Sequence, residues 1–370
     1  LDQNPYNSPV DGRQLALLYT DNAHVTSPIK PALNTSYEAG FDIRFFNDRI
    51  GLKGTYYHET REDEIIGISL SSASGVSEVV TNAGSSEREG VELTLNGVPV
   101  QSQNFRWDVT FNWAMNETIV TDLPRDLQSF QMDNTTATFG PVSITHVVGK
   151  EWGQLRGSAI KRNDAGQPVV NPNGLYAVEQ NHNYGSVLPD WTGGVVNTFS
   201  FKNLSLTAAL DFQKGGQFFS LSELWGNSGG LYSETVGMND RGEPKRAPLS
   251  EDGGVHVTGV APDGSEVDRY VPASKYYGQW GDNFIAEPFV HPADYVKLRS
   301  LNLSYSLPKR WIGSFLNSAK VGVVANNLWM IAVHPENEHG WDPSELSQTY
   351  GENGQLPGTR SYGVNLKVTF

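Results

Sequence analysis

The chain has 370 residues, of which 41 are acidic and 27 are basic, so its formal net charge is −14. This excess of negative charge argues against a nucleic-acid-binding protein, which needs a basic surface to displace counterions from phosphates. The sequence contains no cysteine, which excludes disulfide frameworks, thiolate metal sites and cysteine nucleophiles. The low charged fraction of 18%, together with 38 glycines and 11% aromatic residues, favours an all-β protein with many turns.

Apolar and polar residues alternate strictly over long stretches of the chain. The pattern is clearest from Phe105 to Met115, where the odd residues are apolar and the even residues are polar or small. It continues for about a dozen residues, longer than the five or six of a usual globular strand. In chain order we predict strands at residues 35–46, 50–60, 86–97, 105–117, 191–201, 204–214, 295–307, 319–331 and 360–370. A further strand is predicted near Arg13–Tyr19.

The connections between these strands alternate between short and long. The short ones are residues 47–49, 98–104, 202–203 and 308–318. The long ones are residues 61–85, 118–190, 215–294 and 332–359. Short turns at one end and long loops at the other are typical of a transmembrane β-barrel, in which the long loops are extracellular. A soluble antiparallel β-protein also alternates along its strands, but loops of roughly 70 to 80 residues are unusual in a compact soluble domain.

We therefore predict a transmembrane antiparallel β-barrel in the outer membrane. The alternation in the strand 105–117 further predicts that the odd residues from Phe105 to Met115 face lipid and that the even residues from Arg106 to Asn116 face the lumen.

The residues do not form a recognisable catalytic or metal-binding pattern. The closest histidine pair, His334 and His339, lacks the i, i+4 spacing of a helical zinc site. The segments at Asp164 and Asp263 predict turns, because they lack the repeated acidic ligands and the closing glutamate of a calcium loop. We therefore expect no enzymatic activity and no resident cofactor, while a calcium ion in one of the long acidic loops stays an open alternative.

The loops 215–294 and 332–359 carry aromatic residues among polar ones. Aromatic rings stack on sugar faces and on peptide side chains, so these residues are candidate contacts for a substrate or for a partner protein. The competing interpretation is that they pack one loop against another. The candidates are Trp225, Tyr232, Tyr276, Tyr277, Trp280 and Trp341, and Tyr270 and Tyr350 lie in the same two loops.

Several segments, spread over nearly the whole chain, together match the pattern of one protein family. They are LNTSYEAGFDIRFFNDRIGLKGTYYHETRED (33–63), TNAGSSEREGVELTL (81–95), PVVNPNGLY (168–176), LPDWTGGVVNTFSFKNLSLTAALDFQKGG (188–216), ADYVKLRSLNLSYSLP (293–308), VANNLW (324–329) and GTRSYGVNLKVTF (358–370). In this order the chain resembles the C-terminal part of the SusC/RagA-type TonB-dependent outer-membrane transporters of Bacteroidota.

The resemblance implies a barrel of 22 strands, of which the strands predicted here would be numbers 14 to 22, so that residues 1–370 form one barrel domain. It also implies an N-terminal plug, a contact with TonB, and a SusD-like lipoprotein lid over the extracellular loops. The plug, the TonB-contacting segment and the first strands are absent from this sequence, so we expect the remainder of the transporter to be a separate piece.

The function implied by the resemblance is the uptake of oligosaccharides or oligopeptides. The alternative function is that of a barrel without a plug, either porin-like or autotransporter-like, with a structural role.

The final predicted strand alternates up to Phe370, which lies on its apolar side. A terminal aromatic residue on an amphipathic strand resembles the signal that is read by the outer-membrane assembly machinery, and we hypothesise this role for Phe370. The competing interpretation is an aromatic residue of the membrane interface, where such side chains form a belt around barrels.

Overall fold

Nine long strands form one antiparallel sheet, in which neighbours in the sheet are also neighbours in the chain. The computed structural model describes residues 2–7, 14–19, 23–25, 29–69, 78–82, 84–123, 127–131, 137, 140–313 and 315–370. The strands of the large sheet are β1 (Leu33–Phe45), β2 (Ile50–Glu62), β3 (Ser85–Gln101), β4 (Phe105–Asp122), β5 (Trp191–Phe201), β6 (Leu204–Lys214), β7 (Tyr295–Ser306), β8 (Ser318–Val333) and β9 (Ser361–Thr369). This up-and-down order is that of a barrel wall, here present as an open sheet.

The strands of this sheet confirm the nine predicted from alternation, and some extend further than predicted. β3 and β4 reach 17 and 18 residues, whereas a tilted strand needs only about 9 to 11 residues to cross a bilayer. Part of this hairpin therefore lies outside the hydrocarbon layer. The additional strand predicted near Arg13–Tyr19 is present as Gln14–Tyr19, but it pairs with Asp2–Asn7 in a separate hairpin, and Arg13 lies outside the described residues.

The pairing register collects residues of like character into rows across the sheet. One row runs through Leu95, Phe111, Val195, Leu210 and Leu298. The adjacent row runs through Thr94, Asn112, Gly194, Asp211 and Lys297. Because residues directly opposite each other in an antiparallel pair lie on the same face, the sheet has one apolar face and one polar face.

The polar face is the one that the long loops cover. Lys297 on this face donates hydrogen bonds to Asp342 Oδ2 at 2.5 Å and to Glu345 Oε1 at 3.1 Å, and both acceptors belong to the loop between β8 and β9. The apolar face instead leaves large side chains such as Val323 and Leu366 exposed. An uncovered apolar face opposite a covered polar face is the arrangement of a barrel wall, with lipid outside and the lumen inside.

The alternation in β7 changes phase at a β-bulge. Val296, Leu298, Leu301 and Leu303 all lie on the apolar face, although the first two positions are even and the last two are odd. The register shifts between Leu298 and Ser300, so Arg299 is the extra residue of the bulge. The guanidinium group of Arg299 donates to Asp211 on the polar face. The bulge therefore directs a second cation toward the lumen, next to Lys297.

The long connections between the strands of the sheet are themselves folded. We call the described residues of the loops 123–190, 215–294 and 334–360 the loop cap. Its strands are Ser129–Gln131, Val142–Val147, Gln154–Ile160, Val178–Ser186, Gln217–Ser220, Val255–Val260, Glu266–Val271, Val290–Pro292 and Gly351–Glu352. Its helices are α1 (Leu221–Ser228) and α2 (Ala273–Asp282), and single 3₁₀ turns lie at Ser233–Thr235, Leu249–Glu251, Glu287–Phe289 and Pro343–Glu345.

Two smaller features complete the described chain. In the connection between β2 and β3, Ile65–Ser69 pairs with Glu78–Asn82, which also pairs in parallel with Ala23–Val25. A short helix α3 (Lys309–Ile312) lies in the connection between β7 and β8. Among the residues that the structure describes, no helix has the length and apolar character needed to cross a bilayer.

The main apolar core lies in the loop cap rather than in the sheet. Ile144 and Leu155 from the first loop and Phe219 and Ile285 from the second are fully buried in one cluster, and Tyr350 from the third loop joins them. Burying large apolar side chains contributes about 1.5–3 kcal/mol for each one. The three loops therefore fold as one packed unit on the lumen side of the wall.

The two-faced register predicts that the same substitution will have a large effect at one residue of β4 and a small effect at the next. Replacing Phe111 by Lys should destabilise the assembled barrel by about 2–4 kcal/mol if the residue lies near the bilayer midplane, because an ammonium group would face lipid. Replacing Asn112 by Lys should cost far less, since that side chain faces the polar row. Urea unfolding of the barrel in lipid vesicles measures both changes, and equal tolerance at the two positions would contradict the register.

Candidate substrate cavity and loop cap

A buried lysine on the wall anchors the loop between β8 and β9. Lys297 is only 2% exposed, and its Nζ bonds Asp342, Glu345 and also Ser344 Oγ at 3.1 Å. A buried ammonium group is stable only when its hydrogen bonds and its charge are both satisfied, and two carboxylates and a hydroxyl supply both here. The third loop is thus fixed to the lumen wall at its 3₁₀ turn.

The same loop is also attached to α1 through two buried carboxylates. Glu352 accepts hydrogen bonds from the backbone N–H of Ser222 at 3.1 Å and from its hydroxyl at 2.7 Å, at the helix N-terminus where unpaired N–H groups favour an anion. Glu223 accepts a hydrogen bond from the indole N–H of Trp341 at 2.5 Å, and His291 Nε2 lies 2.7 Å from its other oxygen. The indole N–H of the candidate Trp341 therefore already has a protein acceptor.

Three of the aromatic candidates lie together on α2 and pack the loop cap. Tyr277 and Trp280 are buried in its core, and Tyr276 packs against them. Trp280 stacks on Tyr176 with 6.1 Å between ring centres, and the Tyr277 hydroxyl donates to the backbone oxygen of Glu234 at 2.6 Å. Burial raises the pKa of Tyr276, so its phenol stays protonated. Contact of a solute with Tyr277 or Trp280 would require the loop cap to open.

The remaining aromatic candidates lie nearer the surface. Trp225 is 42% exposed and is the most exposed of the six, with an edge-to-face contact to Phe284 at 6.2 Å between ring centres. Tyr232 is partly buried, and its ring centre lies 4.6 Å from that of His339. The structure therefore groups Tyr276, Tyr277 and Trp280 in the interior and leaves Trp225 accessible to a partner or a solute.

A hairpin of the loop cap carries a stacked charge cluster at its surface. His256, on Val255–Val260, stacks on Tyr270 of Glu266–Val271 with 4.8 Å between ring centres. Its Nε2 lies 2.7 Å from an oxygen of Asp268, and its Nδ1 lies 2.6 Å from an oxygen of Asp240. The hydrogen bond with Asp268 and the attraction of Asp240 raise the pKa of His256. Protonation of this imidazole therefore ties the hairpin to the adjoining turn.

A cavity of about 410 Å³ lies where the loop-side ends of β2, β3 and β4 meet the loop cap. Arg61 and Arg88 line it from the polar face of these strands, Asp122 lines it from the end of β4, and His146 and Trp152 line it from the loop cap. The ring centres of His146 and Trp152 are 5.2 Å apart. Polar groups that converge beside an aromatic wall are the usual composition of a small-solute site.

No local sequence pattern predicts this cavity. Arg88 looks like an ordinary polar position of an alternating strand, Arg61 falls at the start of a predicted loop, and His146 and Trp152 lie in a long loop without a motif. The available signal was that Arg61 directly follows the predicted strand 50–60 and Arg88 lies near the start of the predicted strand 86–97, at the two ends of the long connection 61–85. Only the folded loop places His146 and Trp152 opposite them.

Two further predictions from the sequence concern a calcium ion in the long loops and an assembly signal at Phe370. Within the described ranges, no group of three or more His, Asp or Glu side chains is arranged to hold a metal ion, so the open alternative of a loop calcium gains no candidate ligands there. Phe370 is exposed, and its ring makes an edge contact with Phe315 at 5.4 Å between ring centres. Its role as an assembly signal stays a prediction.

The raised pKa of His256 predicts a pH dependence for the hairpin. A group whose pKa is raised by folding stabilises the folded state below its unfolded pKa of about 6.5, and this contribution is lost as the pH rises through the folded pKa. His256→Gln should therefore speed amide hydrogen exchange in residues 255–271 at pH 5.5 and leave it unchanged at pH 9. Thr258→Ala, an exposed change in the same hairpin, serves as the control. An equal effect of His256→Gln at both pH values would show that stacking, not charge, holds the hairpin.

Comparison with known proteins agrees with the wall and the loop cap described above. The family model described as "TonB dependent receptor-like, beta-barrel" matches residues 5–328. TonB-dependent receptor P3 of Formosa agariphila is 24% identical over 361 residues, which cover 90% of this chain and 34% of the receptor. TonB-dependent receptor SusC of Bacteroides thetaiotaomicron is 22% identical over 294 residues, which cover 75% of this chain and 26% of SusC.

Solved structures show the same fold. The structure of the RagAB peptide transporter covers 99% of this chain with a TM-score of 0.67 at 19% identity, and the alignment spans 38% of the transporter chain. A second structure, of the RagAB peptide importer in its 'closed-closed' state, aligns with a TM-score of 0.68 at 20% identity. Among the curated relatives that it matches, this chain spans about a third of their length. With a two-faced antiparallel wall and a family match over most of its length, the chain belongs to the family of TonB-dependent receptor β-barrels, which are proteins of the outer membrane.

Proposed function

We propose that this chain forms part of a TonB-dependent importer that takes up oligosaccharides or oligopeptides across the outer membrane. The observation that carries the proposal is the two-faced wall, with an apolar row through Phe111 outside and a polar row through Asp211 inside. A folded loop cap lies over the polar side, where a solute would enter. Family membership supports the same function.

In this function the chain supplies shape and polarity rather than bond chemistry. The polar row offers hydroxyl, amide and charged groups to a hydrated solute, so that the solute need not cross hydrocarbon. The third loop is anchored to the wall by Lys297 and to α1 of the second loop by Glu352, which keeps the entrance in one arrangement. In this proposal the energy for import comes through TonB, and the long loops face the outside of the cell.

We further propose that a SusD-like lipoprotein covers the loop cap. Apolar side chains are concentrated at the surface in residues 225–238, where Leu231 is 85% exposed and Met238 is 63% exposed, in addition to Trp225. Exposed apolar groups of this size favour a protein partner, because burying them removes apolar area from water. We call residues 225–238 the apolar segment.

Energy coupling tests the proposed import. Uptake of a labelled oligosaccharide or oligopeptide by cells that carry the complete transporter should fall to background when tonB is deleted, with the amount of this chain in the outer membrane unchanged. A passive, porin-like barrel needs no energy, so uptake that persists without TonB would overturn the proposal. Immunoblotting of outer-membrane fractions provides the control for protein amount.

Surface substitutions in the apolar segment test the lid. Replacing both Leu231 and Met238 by Asp should reduce co-purification of the lipoprotein about tenfold, because two charges would have to be desolvated at the interface. Thr258→Asp, an exposed change outside the apolar segment, should leave co-purification unchanged.

Surface substitutions test the lid without disturbing the fold of the loop cap. Deleting a loop segment such as residues 245–270 would remove Val257 and Val260, which are buried in the loop cap. Full retention of the lipoprotein by the double variant would place the lid elsewhere.

A further inference from the structure

The cavity at the loop-side ends of β2, β3 and β4 contains polar groups that the fold leaves without partners. Arg88 Nε and His146 Nδ1 are both buried and have no hydrogen-bond partner among the described residues, and both residues line this cavity. Buried polar groups are almost always bonded to protein, water or ligand, because leaving them unpaired is costly. Two such groups in one cavity indicate that the cavity is built to receive a polar occupant.

The two arginines of the cavity have different surroundings. Arg61 Nε donates to Glu59 Oε1 at 2.8 Å, and another nitrogen of Arg61 lies 3.8 Å from Glu64 Oε1. Arg88 makes no ion pair within the part of the chain that the structure describes, and its guanidinium carbon lies 5.5 Å from the ring centre of Tyr57. Glu59 lies opposite Arg88 in the strand pairing, but its carboxylate is engaged by Arg61. Arg88 therefore attracts Glu59 without bonding to it, and among the described residues no anion is hydrogen-bonded to its guanidinium group, which is available to an occupant.

The rest of the lining limits the charge of that occupant. Asp122 and Glu64 also line the cavity, so an occupant with several negative charges would be repelled. Ser86, Asn116 and Thr118 add neutral donors and acceptors, which suit hydroxyl or amide groups. The lining as a whole fits one carboxylate on an otherwise neutral polar chain.

We infer that this cavity is a binding subsite for a single carboxylate group of the imported solute, with Arg88 as its charged partner and Trp152 and His146 as the wall beside it. Guanidinium groups bind carboxylates through charge-assisted hydrogen bonds, which are stronger than neutral ones. Two solutes share this chemistry, namely an oligosaccharide with a uronic acid unit and a peptide. The inference rests on the proposed import function for the role of the ligand as cargo, whereas the binding itself can be measured without transport.

Calorimetric titration of the complete transporter, purified in detergent, tests the subsite. The probes are a disaccharide with a single glucuronate unit against its methyl ester, and trialanine against its C-terminal amide. The acid form of at least one pair should bind at least tenfold more tightly than its masked form, and the pair that shows this preference identifies the source of the carboxylate. No preference in either pair would overturn the inference.

Substitutions test whether the preference for the acid form arises in this cavity. Arg88→Gln should abolish the preference for the acid form, and Arg88→Lys should retain part of it. Asp122→Asn should strengthen binding of the acid form several-fold, because it removes a repelling charge. Arg156→Gln is the matched control, since the buried Nε of Arg156 also has no partner in the described part of the chain, but Arg156 does not line this cavity. Heat-modifiable gel migration verifies that each variant is folded.

Two outcomes of these variants would contradict the subsite. One is an unchanged preference in Arg88→Gln, and the other is an equal loss in Arg88→Gln and Arg156→Gln. Failure of the import proposal looks different, because uptake would then persist without TonB while the binding preference of the purified protein is unaffected.

Discussion

The structure depends on one constraint, which is that every backbone N–H and C=O inside a bilayer must be hydrogen-bonded within the protein. Nine adjacent antiparallel strands meet this requirement along their shared edges, and their side chains must then alternate between lipid and lumen. A slip of one residue would exchange the row through Phe111 with the row through Asn112 and would turn Asp211 and Lys297 toward lipid. The register is therefore strongly specified.

The polar face created by this register supports the loop cap. Lys297 and the bulged Arg299 project cations from β7 toward the lumen, and Asp342, Glu345 and Asp211 pair with them. Asp211 pairs with Arg299 within the wall, whereas the charge of Lys297 is satisfied only when the third loop folds back onto the wall. The buried cluster around Ile144 and Phe219 then holds the three loops together through apolar packing. Long loops, which cost conformational entropy to order, are in this way built into one folded unit.

The contact between the wall and the loop cap also determines which side chains are available to bind a solute. The aromatic residues of α2 are used in packing, so they contribute rigidity at the entrance rather than a surface for solutes. Where strand ends meet the first loop, Arg88 Nε and His146 Nδ1 have no hydrogen-bond partner among the residues that the structure describes. A site of this kind belongs to neither element alone, because the strands supply its charge and the loop supplies its aromatic wall.

Local alternation determined much of this protein, because the side-chain period of a strand is a property of neighbouring residues. Phe105 to Met115 alone specifies a strand with a lipid face, and the lengths of the connections specify which end carries the loops. Tertiary structure decided the rest. The phase change at Arg299 depends on pairing with β6, and the burial of Trp280 depends on packing against Tyr176, about a hundred residues away in the chain. The residues that face Arg88 across the cavity lie in the first loop, and the partners of Lys297 lie in the third. No local pattern encodes the contacts that folding creates between segments so far apart.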